Sequence, residues 1–280
     1  GAGQTRMGTG SMSHLTFAGT EDLGGGMLAS FKLATRINAD SGTTNAPGAV
    51  LNSPAGTYWT QESSVALRGG WGSLTLGRQM TAALLPQLLV DPWFWDNTTN
   101  GFAAGTGYIG NLWYNDAATY AYDTGAFSFT AQVAAKDANP GWSGTPHKTP
   151  YSFALAYAPG PWQLRFGYEK PADGRSKLAT LFGGYDFGAF TLNAMVAGGT
   201  DHTDASVRTW ALSSVVPVGT GQFRTSFGHY KRADVVASQK LALGYHHFLS
   251  KRTSVYTTFA HDSKAPTRKS GYEVGLQHVF

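Results

Sequence analysis

Apolar and polar side chains alternate along most of this chain. The alternation is clearest in residues 27–38, 127–133, 162–169 and 271–280, where nearly every second side chain is apolar. Side chains of a β-strand point alternately to its two faces, so each such stretch predicts a strand with one apolar and one polar face. The pattern predicts fifteen strands, of which the first covers residues 12–20 and the last covers residues 271–280.

Two kinds of connection separate these strands, and they alternate along the chain. Tight turns rich in glycine, proline and aspartate are predicted at residues 23–26, 69–70, 123–125, 159–161, 186–188, 219–221 and 250–251. Longer polar loops are predicted between them, at residues 39–57, 79–112, 137–149, 171–175, 200–205, 233–237 and 263–269. Short turns at one end and long loops at the other are typical of outer-membrane β-barrels.

Composition fits strands with two unlike faces. Only 14% of the 280 residues are charged, yet the mean hydropathy is −0.21, because glycine, small polar residues and aromatics replace the missing charge. The absence of cysteine excludes disulfides and cysteine metal sites. No apolar window is long enough to predict a transmembrane helix. The net charge of +4 comes from scattered basic residues, so no nucleic-acid partner is predicted.

These observations predict an all-β fold, a transmembrane antiparallel barrel that forms a single domain over residues 1–280. Single-chain bacterial barrels have an even number of strands, and the first predicted strand here runs toward a tight turn. We therefore expect sixteen strands, with the first one missing from this sequence and the domain incomplete at its N-terminus. A barrel of that size encloses an aqueous channel.

The loop at residues 79–112 does not fit a simple surface connection. It is long, shows no helical or alternating period, and carries Trp93, Phe94, Trp95, Phe102 and Tyr108. Long loops without secondary structure are usually functional or disordered, and this one is too apolar for disorder. We expect it to pack inside the barrel as a constriction.

Several stretches resemble the general porins of Gram-negative bacteria, particularly those of beta-proteobacteria. They are LTFAGTEDLGGGMLASFKLA (residues 15–34), GGWGSLTLGRQ (69–79), FSFTAQVAA (127–135), LSKRTSVYTTFAH (249–261) and GYEVGLQHVF (271–280). The resemblance implies a homotrimer of sixteen-stranded barrels, surrounded by outer-membrane lipid and lipopolysaccharide, whose third loop folds into the lumen. It also implies passive transport of small solutes and ions without cofactors, metals or catalysis.

The resemblance carries over to the constriction only in part. Arg78 matches a family arginine on the barrel wall, whereas His14 stands where the family has a second one. The family's acidic loop residue is replaced here by Trp93, and Asp91 and Asp96 flank it and can substitute. Trp93 and its neighbours are expected to anchor the loop against the wall rather than to stack on solutes.

Alternation predicts which other charges face the pore. His14, Lys32, Arg36, Arg68 and Arg165 share a face with polar neighbours, and a charge facing lipid near the membrane centre would cost about 2–4 kcal/mol. Arg78 is harder to place, because it has the alternation of Leu74 and Leu76. An inward Arg78 requires a bulge or a loop that covers those leucines. The predicted pore-lining set is therefore His14, Lys32, Arg36, Arg68, Arg78, Asp91, Trp93, Asp96 and Arg165.

The favoured function is an outer-membrane channel for small hydrophilic solutes and ions, with a weak preference for anions. A channel selective for aromatic or small organic acids is the main alternative, and it would use the loop tryptophans. A barrel enzyme is less favoured, because no Ser–His–Asp set stands out, and a plugged structural barrel, which would not conduct ions, is also less favoured. The sequence DNTTNG at residues 96–101 lacks the glutamate and the spacing of a calcium loop, so no metal is predicted.

Overall fold

The computed structural model describes residues 5, 7–10, 13–44, 57–95, 112–139 and 145–280. The strands in these residues form one antiparallel sheet of fifteen, in which each strand pairs with the next along the chain. They are β1 His14–Gly24, β2 Met27–Arg36, β3 Glu62–Gly69, β4 Gly72–Met80, β5 Trp113–Asp123, β6 Phe127–Ala134, β7 Tyr151–Tyr157, β8 Trp162–Lys170, β9 Lys177–Asp186, β10 Thr191–Thr200, β11 Ser206–Val218, β12 Gly221–Arg232, β13 Val235–Phe248, β14 Thr253–Asp262 and β15 Ser270–His278.

The register of the sheet divides its residues between two faces, because residues directly opposite each other point the same way. Val65 lies opposite Phe31 on one side and Leu76 on the other, and this face carries large apolar side chains that are exposed. Lys32 lies opposite Ser64 on the second face, which is small or polar over most of its length. The apolar face suits lipid and the polar face suits water, as the alternation predicted.

The sheet curls until its two end strands approach each other. His14, Leu15 and Thr16 of β1 and Leu276 and Phe280 at the chain end line the same cavity of about 630 Å³. Because β1 and β15 stand at opposite ends of the strand order, they share a cavity only if the sheet closes on itself. The all-β barrel predicted from the sequence is therefore present, with the polar face inside.

Three local features differ from the sequence prediction. The connection between β12 and β13 is a turn of only Ala233 and Asp234, whose φ angles of 48° and 61° are those of a tight hairpin turn. The first strand begins at His14 rather than at residue 12. The loop after β4 contains a 3-10 helix, Ala82–Leu84, and the α-helix α1, Leu85–Leu89, both too short to produce a periodic pattern in the sequence.

Candidate functional site

The loop after β4 enters the barrel as soon as the strand ends. The backbone N–H of Ala82 donates to Gln132 Oε1 at 3.3 Å and to Ser152 Oγ at 3.1 Å, and both acceptors lie on the inner face of β6 and β7. Gln132 Nε2 in turn donates to the Met80 carbonyl at 3.1 Å. These bonds fix the start of the loop to the inner wall.

The helical part of the loop lies directly on the inner wall. A side chain at Gly167 of β8 would place its Cβ atom 2.9 Å from the Ala83 carbonyl oxygen, so the 3-10 helix needs a glycine beneath it. Further along, Val90 packs in a buried cluster with Phe182 of β9, Met195 of β10 and Ala211 of β11. Because interiors pack without voids, these contacts hold the loop at one depth in the barrel.

The far end of the described loop is anchored by Trp93. Its side chain is 3% exposed and packs against Ala242 of β13 and Ala260 of β14. A Cβ atom at Gly244 would lie 3.0 Å from the Trp93 ring, so three small residues of the wall form the surface on which the indole lies. The expected anchoring of this tryptophan against the wall matches the packing.

The described part of the loop follows the inner wall around the barrel. Ala82 contacts β6 and β7, whereas Trp93 contacts β13 and β14, seven strands further around the sheet. At about 4.8 Å per strand, seven strands span ~34 Å on a flat sheet. Eleven residues, most of them in short helical segments, reach only ~24 Å. The loop can therefore reach β13 and β14 only because it runs along the inside of a concave wall, where the distance between strands is shorter.

Asp91 is used inside the loop rather than offered to the pore. Its side chain accepts hydrogen bonds from the backbone N–H of Trp93 at 2.9 Å and of Trp95 at 3.3 Å, and it is 1% exposed. Burial raises the pKa of Asp91 to about 6, against the opposing effects of these two N–H groups and of Arg224 and Lys240 on the facing wall. Asp91 thus holds the turn that positions Trp93.

Arg224 and Lys240 were not selected by the sequence analysis. Arg224 lies opposite Gly244, and Lys240 lies opposite Gly228 and Asp262, so both belong to the inner face. Their alternation was readable from the sequence, but their role depends on the loop, which brings Asp91 close to them. No local pattern reports a contact between the third loop and strands so much later in the chain.

Lys32, Arg36 and Arg68 lie on the inner face of the sheet, and their role in lining the pore stays a prediction. Lys32 Nζ is 2.7 Å from Glu62 Oε2, so part of its charge is compensated. Arg36, which is 6% exposed, places its guanidinium 5.7 Å from the centre of the Trp113 ring. Arg68 lies near the tight turn between β3 and β4.

His14 lies opposite Arg36 at the start of β1, and Arg165 lies opposite Ala156 and Phe182 on the inner face of β8. Asp96 lies outside the described residues.

Arg78 lies beside the bulge that the sequence analysis invoked. The register shifts between Gly77 and Gln79, and Gly77 has a φ of 116°, where a Cβ atom would lie 2.3 Å from the Ser63 carbonyl oxygen. Arg78 nevertheless lies opposite Ser63, in the alternation of the lipid-facing leucines. It is 7% exposed, donates to the Thr60 carbonyl from Nε at 3.0 Å and also bonds Asn115. Its role in lining the pore stays a prediction.

The chemistry of the lumen is that of a channel wall. Among the described residues, no group of three or more histidines and carboxylates is placed to hold a metal ion. The part of the chain that the structure describes also contains no helix long and apolar enough to cross a membrane. The inner wall instead offers guanidinium, ammonium, hydroxyl and amide groups beside a loop that lies inside the barrel, which is typical of the lining of a pore.

Comparison with known proteins supports this assignment. The sequence profile described as Gram-negative porin matches residues 1–265. Outer membrane porin protein 32 of Delftia acidovorans is 27% identical over 329 residues, which cover 100% of this chain and 89% of that protein.

Two solved structures share the fold. The anion-selective porin from Comamonas acidovorans superimposes with a TM-score of 0.75 at 22% identity, over 95% of this chain and 89% of that one. Salmonella typhi OmpF, in a complex with daunomycin, gives a TM-score of 0.74 at 12% identity, over 94% and 88% of the two chains. The resemblance noted from the sequence is confirmed: the chain belongs to the Gram-negative porin family and is an outer-membrane β-barrel channel, not an enzyme.

Proposed function

We propose that this porin conducts small hydrophilic solutes and ions with a preference for anions. The observation that carries the proposal is the difference in exposure between acidic and basic residues on the inner face. Glu273, in the middle of β15, is 8% exposed, and Glu169, next to the last residue of β8, is 1% exposed. Arg36 is buried to a similar degree, at 6% exposed, whereas Arg165, Arg224 and Lys240 are only partly buried.

The acidic residues that remain exposed on the inner face lie toward its rims. Asp22, Asp123 and Asp186 belong to the tight-turn end, where each accepts a hydrogen bond from the N–H of a turn glycine. Glu62, at the first position of β3, is paired with Lys32. A solute in the middle of the passage therefore meets mainly basic groups, which attract anions.

The similarity to the anion-selective porin from Comamonas acidovorans supports the same preference for this chain. The alternative of a channel for aromatic acids receives less support, because Trp93 is 3% exposed and its ring lies against the wall. A solute would have to displace the loop before it could stack on this indole.

The reversal potential of single channels in planar bilayers under a KCl gradient tests the proposal. We expect the wild-type reversal potential to have the sign of chloride preference, and we expect its magnitude to be smaller in Arg224→Gln. A matched control is Arg208→Gln, since Arg208 is an exposed arginine on the opposite face that pairs with Asp234 at 3.7 Å. A reversal potential of the sign of potassium preference in the wild-type channel refutes the proposal.

We also propose that three copies assemble in the outer membrane. The outer face of β1 to β4 has a shallow groove of about 670 Å³ in which small residues such as Gly19 and Ala29 lie between Phe31, Val65 and Leu74. A surface of this shape suits close packing of two barrels, as the family resemblance implied. Light scattering of the detergent-purified protein should give three times the chain mass of 29.8 kDa, and a single-chain mass contradicts the trimer.

A further inference from the structure

The outer face of β8 and β9 carries two lysines at its long-loop end. Lys170 is the last residue of β8, and Lys177 is the first residue of β9. Lys170 lies opposite Tyr151, which is 41% exposed. Lys177 has the alternation of Leu181, which is 53% exposed. Both lysines therefore belong to the face that the membrane surrounds.

The two lysines face each other across neighbouring strands. Glu169 lies opposite Leu178, so the next residue of each strand brings Lys170 opposite Lys177. Like charges directly opposite each other on one face destabilise a sheet. Within the described part of the chain, neither lysine lies within ion-pair distance of a carboxylate. Two adjacent ammonium groups on this face indicate an anionic partner from outside the chain.

The loop that joins the two lysines is closed by its own polar contacts. Asp173 is 1% exposed and accepts hydrogen bonds from the backbone N–H of Arg175 at 2.8 Å and of Ser176 at 2.6 Å. These bonds fix the connection between β8 and β9. The lysine pair is therefore held in place before any ligand binds.

The surroundings of the loop leave the positive charge in excess. Asp173 is buried within the loop, and the carboxylate of Asp204 lies 3.6 Å from the side chain of Arg175. The backbone N–H of Lys148, an exposed residue, donates to the Ala172 carbonyl of the same loop at 2.8 Å. A third lysine thus lies beside the pair.

Aromatic residues place the lysine pair at the depth of the lipid headgroups. Tyr168 precedes Lys170 by two residues on the same face, and its ring centre is 6.2 Å from that of Tyr151. Girdles of aromatic residues mark the two interfaces of membrane barrels, and the long loops of such barrels are extracellular. The pair therefore meets the headgroups of the outer leaflet.

The basic residues of this sector occur at one interface only. On the outer face of β8 to β12, the lysines and arginines all lie at the long-loop end: Lys170, Lys177, Arg208 and Lys231. The described tight turns of the same strands, at residues 159–161, 187–190 and 219–220, contain neither lysine nor arginine. Lysines that only extend from apolar surface to water would suit both ends equally. The asymmetry therefore indicates a ligand that is present in one leaflet.

This sector also faces lipid in an assembled porin. The groove proposed above for contact between copies lies on β1 to β4, whereas β8 and β9 are about half-way around the strand order from it. The lysine pair stays accessible from the membrane in a trimer as well as in a single barrel.

We propose that Lys170 and Lys177, with the rings of Tyr151 and Tyr168 beside them, bind a phosphate group of lipopolysaccharide in the outer leaflet. Ammonium groups are point charges that bind phosphate oxygens through charged hydrogen bonds. The proposal rests on the location of the porin in the outer membrane and not on its anion preference, because the site lies outside the lumen.

Calorimetric titration of the folded, detergent-purified protein with diphosphoryl lipid A, the phosphorylated anchor of lipopolysaccharide, tests the site. Lys170→Gln and Lys177→Gln should each raise the Kd about fivefold, and the double variant should raise it about twentyfold. Replacement of both lysines by arginine keeps the charge and should keep the Kd within about twofold of the wild type. Lipid A from which both phosphates have been removed should bind the wild type and the double glutamine variant alike.

Two single variants are matched controls. Arg208→Gln removes a charge at the same interface that is already paired with Asp234 at 3.7 Å, and Lys251→Gln removes an exposed charge in a tight turn at the other end of the barrel. Both should leave the Kd for lipid A unchanged. An equal Kd in the wild type and the double glutamine variant overturns the proposal, as does equal affinity of the wild type for lipid A and phosphatidylglycerol. A cation-preferring reversal potential would contradict only the anion preference and would leave this site standing.

Discussion

Truncation of Trp93 to alanine should release the end of the loop from the wall. Trp93 is 3% exposed and packs against Ala242 and Ala260. A tryptophan buries about 150–250 Å², which corresponds to ~4–6 kcal/mol at ~25 cal/mol per Å². Measured truncations of buried aromatic residues cost about 3–5 kcal/mol. The docked population of the loop end should therefore fall by at least about a hundredfold relative to the released one, since 1.4 kcal/mol is tenfold.

The change should be local. Val90 keeps its own contacts with Phe182, Met195 and Ala211, so the helix α1 should remain on the wall while residues 91–95 move. The fifteen-stranded sheet does not depend on the indole, since its strands pair through their backbones. We expect a folded barrel with a wider and more variable passage.

Single-channel recording in planar bilayers measures this effect. Trp93→Ala should increase the open-channel conductance and its noise, and Trp93→Phe should give an intermediate conductance because it keeps part of the buried ring. Trp162→Ala is the matched control, because Trp162 is 51% exposed on the outer face of β8 and should leave conductance unchanged. A folded Trp93→Ala barrel with wild-type conductance and noise refutes the anchoring role.

Three further predictions concern the loops. Gly244→Val should also raise the conductance, because even its Cβ atom would lie 3.0 Å from the Trp93 ring; wild-type conductance in this variant contradicts the close packing. Burial raises the pKa of Asp91 to about 6 from 3.8, so its ionisation should weaken loop docking by about 3 kcal/mol as the pH rises through that interval. Channel noise should increase with pH between about 4 and 6 in the wild type, and this dependence should vanish in Asp91→Asn. Burial alone would raise the pKa of Asp201, but hydrogen bonds, one of them from Arg232 at 2.5 Å, lower it below its usual value. Asp201→Ala should therefore destabilise the short loop that Asp201 closes by about 1–3 kcal/mol at neutral pH, which faster amide hydrogen exchange in that loop would show. Acid below pH 4 should speed exchange in the same loop of the wild type, because protonation of Asp201 removes the same stabilisation.

The amino-acid sequence by itself determined the strands and their two faces. Strand β5 spans residues 113–123, between the long loop and the tight turn that the sequence predicted, and Lys32 and Arg165 lie on the inner face of the sheet. Both results follow from local physics: side chains of a strand alternate, and a membrane excludes charge from one side. Turn chemistry separated the tight connections from the long ones, except at Ala233 and Asp234, where two residues without glycine form the turn.

Only the tertiary structure decided what the loop does. The sequence predicted a loop inside the barrel, but it did not indicate that Trp93 lies against Ala242 and Ala260 or that Asp91 is buried near Arg224. These contacts join residues about 130 or more positions apart, and the surface that receives the indole is made of small side chains that leave no periodic signal. The curvature of the closed sheet brings them together, because a short loop on the inside of a concave wall reaches strands that would be too distant on a flat sheet.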